Sequence, residues 1–146
     1  MIETAIETAL FDSNVLVYMH DASAPYKQEI ARAVFERYAA ERKAALSTQV
    51  LQEFFVTITS KLARLSVPVA GRLVASYARL NVVILEPRHI LDAIGIHSRF
   101  QVSFWDGLIL AAAKSAGASV LFTEDLSDGQ VYDGVRAENP FRRGLQ

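Results

Sequence analysis

Four acidic residues lie at points in the sequence where an unpaired charge would be destabilising. Asp12 directly follows a short apolar run, and Asp125 follows a second such run near the C-terminal end. Glu53 interrupts the apolar stripe of an amphipathic segment, and Asp106 shares its helical face with the apolar residues of the following turn. A carboxylate on a buried face is unfavourable unless it is hydrogen-bonded, ion-paired or bound to a metal ion.

Each acid also has an ordinary structural interpretation. Asp12 could cap the helix that follows it, and Asp125 could belong to a turn. Ser103 and Asp106 have the spacing of a capping box, and a Glu at the margin of an amphipathic helix, such as Glu53, is usually solvated. For each residue taken alone, both interpretations stay open.

The elements that must position these acids can be predicted from the apolar pattern. Four runs are apolar throughout, as expected for parallel strands covered on both faces: Thr8–Phe11, Ala44–Ser47, Val82–Leu85 and Ser119–Phe122. Amphipathic helical segments separate them. Pro25, Thr48, Pro68 and Pro87 open four of these helices, the fourth with Ile90, Leu91 and Ile94 as its apolar positions, and Ser103–Ala116 forms the last one, closed by Gly117.

This alternation predicts a three-layer α/β fold in which helices cover a central, mainly parallel sheet of four to five short strands. Residues 1–146 would form a single domain, with residues 1–7 as a short N-terminal extension. Right-handed crossovers return the strands in one direction, so their carboxyl ends meet at one edge of the sheet. All four acids can converge at that edge.

A cluster of four carboxylates must either take up protons or recruit cations, because like charges at close range raise one another's pKa values. Oxygen ligands favour Mg²⁺ or Mn²⁺, and the three histidines show no spacing relative to the acids that suggests a zinc site. Such ions can activate water and stabilise a leaving oxygen, as in phosphodiester hydrolysis. The candidate catalytic and metal-binding residues are therefore Asp12, Glu53, Asp106 and Asp125.

The composition narrows the possible classes of protein. The chain of 146 residues contains no cysteine, which excludes disulfide scaffolds, thiolate metal sites and cysteine nucleophiles. No segment has the features of a membrane span or a secretory signal, so we expect a cytoplasmic protein without membrane association. The net charge of −1 argues against a simple nucleic-acid coat. Scattered basic residues could still bind a phosphate backbone: Lys61, Arg64, Arg72, Arg136, Arg142 and Arg143.

Four segments resemble, in order, the successive motifs of PIN-domain nucleases, and most of all the VapC-type toxins of bacterial toxin–antitoxin pairs. They are Phe11–Tyr18, Ser47–Phe54, Phe104–Asp106 and Leu121–Leu126. The resemblance runs from about Ala9 to about Phe141. It implies an acidic metal-binding quartet of Asp12, Glu53, Asp106 and Asp125, supported by Asn14 and Thr123. It further implies an Mg²⁺- or Mn²⁺-dependent endoribonuclease with an RNA substrate, a cognate antitoxin protein as partner, and a homodimer.

Two other α/β families fit poorly. A haloacid-dehalogenase-like phosphatase needs a second Asp two residues after the first, where this chain has Asn14. A response-regulator receiver needs a phosphoacceptor Asp after the third strand, where Leu85 and Glu86 stand. A stronger alternative is a catalytically weak PIN-fold binding module that acts through complex formation with its antitoxin.

The helical region from Thr48 to Leu80 is the expected docking surface for an antitoxin helix. The exposed apolar residues of these helices could instead form the dimer face, and most of their apolar residues are expected in the core. Substitution of both Phe55 and Leu73 by Ser tests antitoxin docking. The intact acidic quartet argues against the binding module, which would act only by forming a complex with its antitoxin.

Overall fold

A six-stranded sheet forms the centre of the fold in the computed structural model, which describes residues 5–60 and 65–142. The strands are β1 (Ala9–Phe11), β2 (Ala44–Ser47), β3 (Asn81–Val83), β4 (Val120–Phe122), β5 (Val131–Tyr132) and β6 (Val135–Glu138). Their order is β3-β2-β1-β4-β6-β5, and every neighbouring pair from β3 to β6 is parallel. The predicted α/β class with a mainly parallel sheet is confirmed, with six strands instead of four to five.

Six helices connect and cover these strands in the described part of the chain. They are α1 (Ser13–Tyr18), α2 (Pro25–Ala40), α3 (Thr48–Ile58), α4 (Val67–Tyr77), α5 (Pro87–Phe100) and α6 (Phe104–Ser115). The central strands are buried because helices lie on both sides of the sheet, and Leu10, Leu46 and Leu121 are fully buried. No helix within residues 5–60 and 65–142 combines the length and apolar character needed to cross a membrane.

The boundaries of α3 and β3 differ from the prediction. Ser47, rather than Thr48, caps α3, because Ser47 keeps an extended backbone and its side chain accepts a hydrogen bond from the Val50 amide. The helix ends at Ile58, with Thr59 as its C-cap residue. The third strand ends at Val83 because Val83 is the last residue that pairs with β2, which leaves Ile84 exposed.

The apolar stripe predicted for α5 does not face the core. Ile90, Leu91 and Ile94 are exposed by 44%, 70% and 49%, whereas His89 and Ala93 are buried. The pattern was misleading because this helix presents its small residues to α6. A methyl group on Gly107 of α6 would lie 2.7 Å from the carbonyl oxygen of Ala93. The two helices therefore pack closely, and the larger residues of α5 remain on the surface.

The β5–β6 hairpin was missed by the prediction although the sequence contains its signal. Asp133 and Gly134 form the two-residue turn, and both have positive φ angles, of 52° and 90°. Asp-Gly is a preferred pair for such turns because Asp tolerates and Gly favours the left-handed conformation. The strands are so short that their alternation carries little information. β6 nevertheless lies beside β4 and extends the parallel sheet.

Part of the predicted N-terminal extension contacts the sheet. The Ser119 side chain donates a hydrogen bond of 2.6 Å to the Glu7 carboxylate, and the Ser119 amide donates to the carbonyl oxygen of Thr8. Residues 5–8 therefore lead directly into β1, next to the start of β4. Residues 1–4 of the extension lie outside the described part of the chain.

Candidate active site

Asp12 lies at the carboxyl edge of the sheet, where β1 and β4 end side by side. Phe11 pairs with Phe122, and the Asp12 amide continues this pairing by donating to the carbonyl oxygen of Phe122. The carboxylate is 3% exposed and accepts two hydrogen bonds of 2.7 Å, from the Thr123 hydroxyl and the Ser13 amide. The two strands thus bring together residues that are 111 positions apart.

The environment of Asp12 disfavours its charged form. Burial raises the pKa of its carboxyl group from 3.8 to about 7, against the two hydrogen bonds from Thr123 and Ser13, which lower it. The charges of Asp125 and Glu53 raise the pKa further. Asp12 does cap α1 through the Ser13 amide, so the ordinary interpretation is correct in part. Capping alone would not explain a buried carboxylate beside two others.

Glu53 projects towards Asp12 from the second turn of α3. Its Oε1 accepts a hydrogen bond of 3.3 Å from the Ser13 hydroxyl, which also lies 3.5 Å from Asp12 Oδ1. Its Oε2 accepts a bond of 3.4 Å from the side-chain amide of Gln49, one turn earlier in the same helix. Glu53 is half-buried and hydrogen-bonded, so it is not the freely solvated residue of the ordinary interpretation.

Asp106 lies in the first turn of α6, where Ser103 caps the helix by accepting a hydrogen bond of 3.0 Å from the Asp106 amide. Partial burial raises the pKa of the Asp106 carboxyl group, a hydrogen bond with Ser103 opposes this, and the charge of Asp125 raises the pKa again. Gln49 also donates to the carbonyl oxygen of Trp105, at 3.3 Å. This bond ties the start of α6 to the helix that carries Glu53.

Asp125 is the most exposed of the four acids, and Asn14 and Thr123 hold it. The side-chain amide of Asn14 lies 3.2 Å from Asp125 Oδ2 and 3.5 Å from the Thr123 hydroxyl. Thr123 also accepts a bond from the Asp125 amide at 3.1 Å while it donates to Asp12. Asn14 and Thr123 therefore both contact Asp125, and their supporting roles stay a prediction.

Sequence reasoning missed several residues of this region. The Ser13 hydroxyl bridges Asp12 and Glu53, and Gln49 links Glu53 to the start of α6. The sequence signal for Ser13 was its place inside the first motif, and that for Gln49 was its position one helical turn before Glu53. Glu124, the residue before Asp125, is half-buried. Its carboxylate accepts bonds of 3.0 Å from the Tyr18 hydroxyl and the Lys27 ammonium. Only the fold brings these residues together, so the local sequence gave no sign of this contact.

The site has many oxygen atoms and no compensating positive charge among the residues that the structure describes. None of the ion pairs formed by residues 5–60 and 65–142 involves Asp12, Glu53, Asp106 or Asp125. The side-chain oxygens of Asn14 and Gln49 are buried without a hydrogen-bond partner in the same part of the chain. No group of three or more described His, Asp or Glu side chains is already arranged to hold an ion.

This donor set fits a hard divalent cation. Carboxylate and amide oxygens are the ligands that Mg²⁺ and Mn²⁺ prefer, and a cation would relieve the repulsion that raises the pKa of Asp12. It would also give a partner to the buried Asn14 oxygen. The chemistry that such a site supports is the activation of water against a phosphate ester.

Residues 9–127 match the PIN domain family. The chain belongs to this family. Its PIN fold is shared by a toxin–antitoxin complex from Klebsiella pneumoniae, with a TM-score of 0.67 at 18% identity, covering 91% of this chain and 98% of that chain. DNA-bound VapBC from Salmonella typhimurium gives a TM-score of 0.65 at 18% identity, covering 92% and 99%. At such identities the similarity concerns the fold.

A third PIN-fold relative is a Mycobacterium tuberculosis VapC, described as a toxin that cleaves the sarcin–ricin loop. It has a TM-score of 0.63 and 18% identity, and the alignment covers 88% of this chain and 99% of that chain. No protein of curated function matches the sequence. The family match ends at residue 127, but β5 and β6 follow it and complete the sheet of this PIN domain.

Proposed function

We propose that this PIN domain is a metal-dependent endoribonuclease of the VapC type, which hydrolyses RNA phosphodiester bonds as the toxin of a toxin–antitoxin pair. The observation that carries the proposal is the convergence of Asp12, Glu53, Asp106 and Asp125 at one sheet edge with no described basic partner. The shared fold of toxin–antitoxin proteins, one described as an RNA-cleaving toxin, supports the same assignment. Such a protein would act on RNA in the cytoplasm.

The four acids are assigned different tasks. Asp12 and Asp106 would anchor a principal Mg²⁺ or Mn²⁺ ion, and Asp125 would complete this site or hold a second ion. Glu53 would help to hold the ion or take a proton from the attacking water. Bound metal supplies a water of lowered pKa and positive charge for the leaving oxygen. Thr123 and Ser13 orient Asp12, and Gln49 fixes one oxygen of Glu53.

RNA cleavage by the purified protein, freed of any bound partner, tests this function. Total RNA, transfer RNA and ribosomal RNA would be incubated with Mn²⁺, Mg²⁺ or EDTA, and the Asp12→Asn variant would be run beside the wild type to detect contaminating nuclease. We expect cleavage that requires metal and disappears in the variant. Cleavage that is equal in both proteins would contradict the proposal.

The alternative of a catalytically weak binding module predicts a different result. Wild type and Asp12→Asn would both be inactive on every RNA in Mn²⁺, while both bind the antitoxin with equal affinity. The absence of a preformed three-residue metal group among the described residues is the observation that keeps this alternative in consideration. Calorimetric titration of Mn²⁺ into the wild type and into Asp12→Asn distinguishes the nuclease from the binding module. Only a metal-dependent nuclease should lose affinity for Mn²⁺ in the variant.

We propose that the antitoxin docks on α3 and α4, but through other residues than the sequence indicated. Phe55 and Leu73 are partly buried and pack against the core, so their substitution would disturb the fold. Val56 and Val67 are exposed by 68% and 62%, and they are the better test positions. A combined substitution of both by Ser should weaken antitoxin binding without a loss of thermal stability. Unchanged affinity would exclude this surface.

We further propose that the domain is a homodimer formed through α5. Ile84, Ile90, Leu91 and Ile94 are all large, apolar and exposed, and the three residues of α5 lie on one side of the helix by their spacing. A cluster of this kind on a water-soluble surface is typical of an interface.

A further inference from the structure

A cleft of about 400 Å³ opens directly beside the carboxylate cluster. Ser13 and Asn14 line it, and the same two side chains donate hydrogen bonds to Glu53 and Asp125. The volume lies in the range of clefts that bind small molecules. Because two of its wall residues contact the acids, a group bound in the cleft would adjoin a phosphate held at those acids.

The charge of the cleft favours a ligand that donates hydrogen bonds over an anion. Asp21 and Glu124 both line the cleft, and no Lys, Arg or His is among its described lining residues. Lys27 lies nearby, but its ammonium group already donates to the Tyr18 hydroxyl and to Glu124, at 3.1 and 3.0 Å. A phosphate would therefore meet negative charge, whereas the amino and imino groups of a nucleobase would be attracted.

Asp21 is the carboxylate that remains available to a ligand. Both oxygens of Glu124 accept hydrogen bonds within the protein, from Tyr18 and from Lys27. In Asp21 only Oδ1 does so, from the amide and hydroxyl of Ser23, which fixes the orientation of the carboxylate. Asp21 Oδ2 has no hydrogen-bond partner among the described residues.

We propose that this cleft binds the base of the nucleotide next to the scissile phosphate, with a preference for guanine, an inference that rests on the proposed ribonuclease function. Guanine presents two adjacent donors on one edge, N1–H and the 2-amino group. Asp21 Oδ2 can accept one of them, and Oδ1 can accept the other once the Ser23 hydroxyl rotates away, while the Ser23 amide still holds the carboxylate in place. Adenine, cytosine and uracil offer a single donor group on that edge. Val17 and Tyr18 give the cleft the apolar surface against which unpaired RNA bases pack.

Binding of guanosine 5′-monophosphate and inosine 5′-monophosphate tests this assignment without any cleavage step. The two nucleotides differ by the 2-amino group. Their titration into the isotope-labelled protein in EDTA would be followed by NMR through the backbone amide signals of Asn14, Asp21 and Ser23. We expect the guanosine nucleotide to shift these signals and to bind about tenfold more tightly than the inosine nucleotide, the discrimination typical of a bidentate contact to a base.

The Asp21→Asn variant should bring the two affinities together, because an amide cannot accept both donors. Glu36→Gln, which removes an exposed carboxylate on α2 away from the cleft, should keep the difference. Equal binding of the two nucleotides to the wild type, or shifts confined to other parts of the protein, would overturn the proposal. Absence of binding by both nucleotides would also overturn it and would point to a protein partner as the group that Asp21 recognises.

Cleavage of matched oligoribonucleotides separates this inference from the proposed function. The substrates would carry guanine or hypoxanthine beside the cleaved bond, and Mn²⁺ would be present. Cleavage without preference for guanine would overturn the assignment of the cleft and leave the ribonuclease function intact. Guanosine nucleotide binding in the cleft without any Mn²⁺-dependent cleavage would support the cleft as a nucleotide site and contradict the ribonuclease function.

Discussion

Opposing influences act on the carboxyl group of Asp12. The cap of α1 and the bond from Thr123 stabilise the carboxylate, whereas burial and the charges of Asp125 and Glu53 favour the protonated acid. Burial prevails, and the pKa rises to about 7. Asp12 should therefore release its proton near neutral pH when a cation approaches, so the proposed metal binding would depend on pH.

The stability of the metal-free protein should fall as the pH rises. The folded chain keeps a proton on Asp12 up to pH about 7, while the unfolded chain releases it near the ordinary pKa of 3.8. The contribution of the neutral acid is thus fully present below pH 3.8 and is lost as the pH rises through 7. In EDTA we expect the unfolding free energy to drop by about 3 kcal/mol between pH 5 and 8 through this group. Urea titrations of wild type and Asp12→Asn measure it.

The unfolding free energy of Asp12→Asn should not show this drop between pH 5 and 8, because an amide does not titrate there. Added Mn²⁺ should restore stability to the wild type at pH 8 and have little effect on the variant. If the unfolding free energies of the wild type and Asp12→Asn changed with pH in the same way, Asp12 would not contribute to the pH dependence. This result would contradict the expected loss of stability.

Asp106→Asn should separate catalysis from stability. Removal of the charge relieves repulsion by Asp125 and the unfavourable burial of the carboxylate, so the melting temperature should stay constant or rise. If Asp106 anchors the metal, RNA cleavage in Mn²⁺ should fall by about 100-fold or more. Calorimetry and initial cleavage rates measure the two effects, with Glu36→Gln as the control. A variant with full activity would exclude Asp106 from the site.

At the scale of the elements, the close approach of α5 and α6 sets where Asp106 lies. Gly107 follows Asp106 directly, and it lets the first turn of α6 pack against the backbone of α5 at Ala93. The bond from Gln49 to the carbonyl oxygen of Trp105 holds the same turn against α3. Two helices, α5 and α3, therefore fix the start of α6 relative to the sheet edge.

Two glycine substitutions test this packing. In Gly107→Ala the new methyl group would lie 2.7 Å from the Ala93 carbonyl oxygen, so the helices must separate, at a cost of about 1–3 kcal/mol in unfolding free energy. Gly95→Ala in α5 meets no atom within 4 Å and should stabilise the helix by ~0.5–1 kcal/mol. Chemical denaturation of both variants gives the comparison. Equal effects of the two substitutions would contradict a close contact at Gly107.

At the scale of the whole molecule, an apolar surface remains uncovered after the core has formed. Ile84 directly follows β3, which is an edge strand of the sheet, and the exposed Ile90, Leu91 and Ile94 lie on α5, the next element in the chain. Edge strands and apolar patches are both common sites of association between chains. A homodimer would bury this surface, which is the physical reason for the proposed assembly.

Leu91→Asp should therefore convert the dimer to a monomer. A buried, unpaired carboxylate in the interface opposes association, while the same side chain on the 70% exposed surface of the monomer leaves the fold unchanged. Sedimentation equilibrium measures the mass. Val131→Asp, on the exposed and apolar β5, is the matched control and should stay dimeric. A wild type that sediments at 16.1 kDa would contradict the proposed homodimer.

The sequence by itself determined the class of fold and the edge of the sheet where the four acids lie. Continuous apolar runs such as Ala44–Ser47 are typical of buried parallel strands, and parallel strands with right-handed crossovers have their carboxyl ends at a common edge. Asp12 and Asp125 follow two such runs. Their approximate positions could be predicted because they depend on chain direction and pattern rather than on individual side-chain contacts.

Tertiary structure alone decided which groups contact these acids and which surfaces stay open. The partner of Asp12 is 111 residues away, and Lys27 and Glu124 meet across 97 residues. The apolar positions of α5 match the pattern of a buried stripe, yet the small residues of that helix face α6. A local pattern gives the spacing of residues on one helix. Which of these residues are buried depends on the shape of the element that packs against the helix, and that shape exists only in the folded chain.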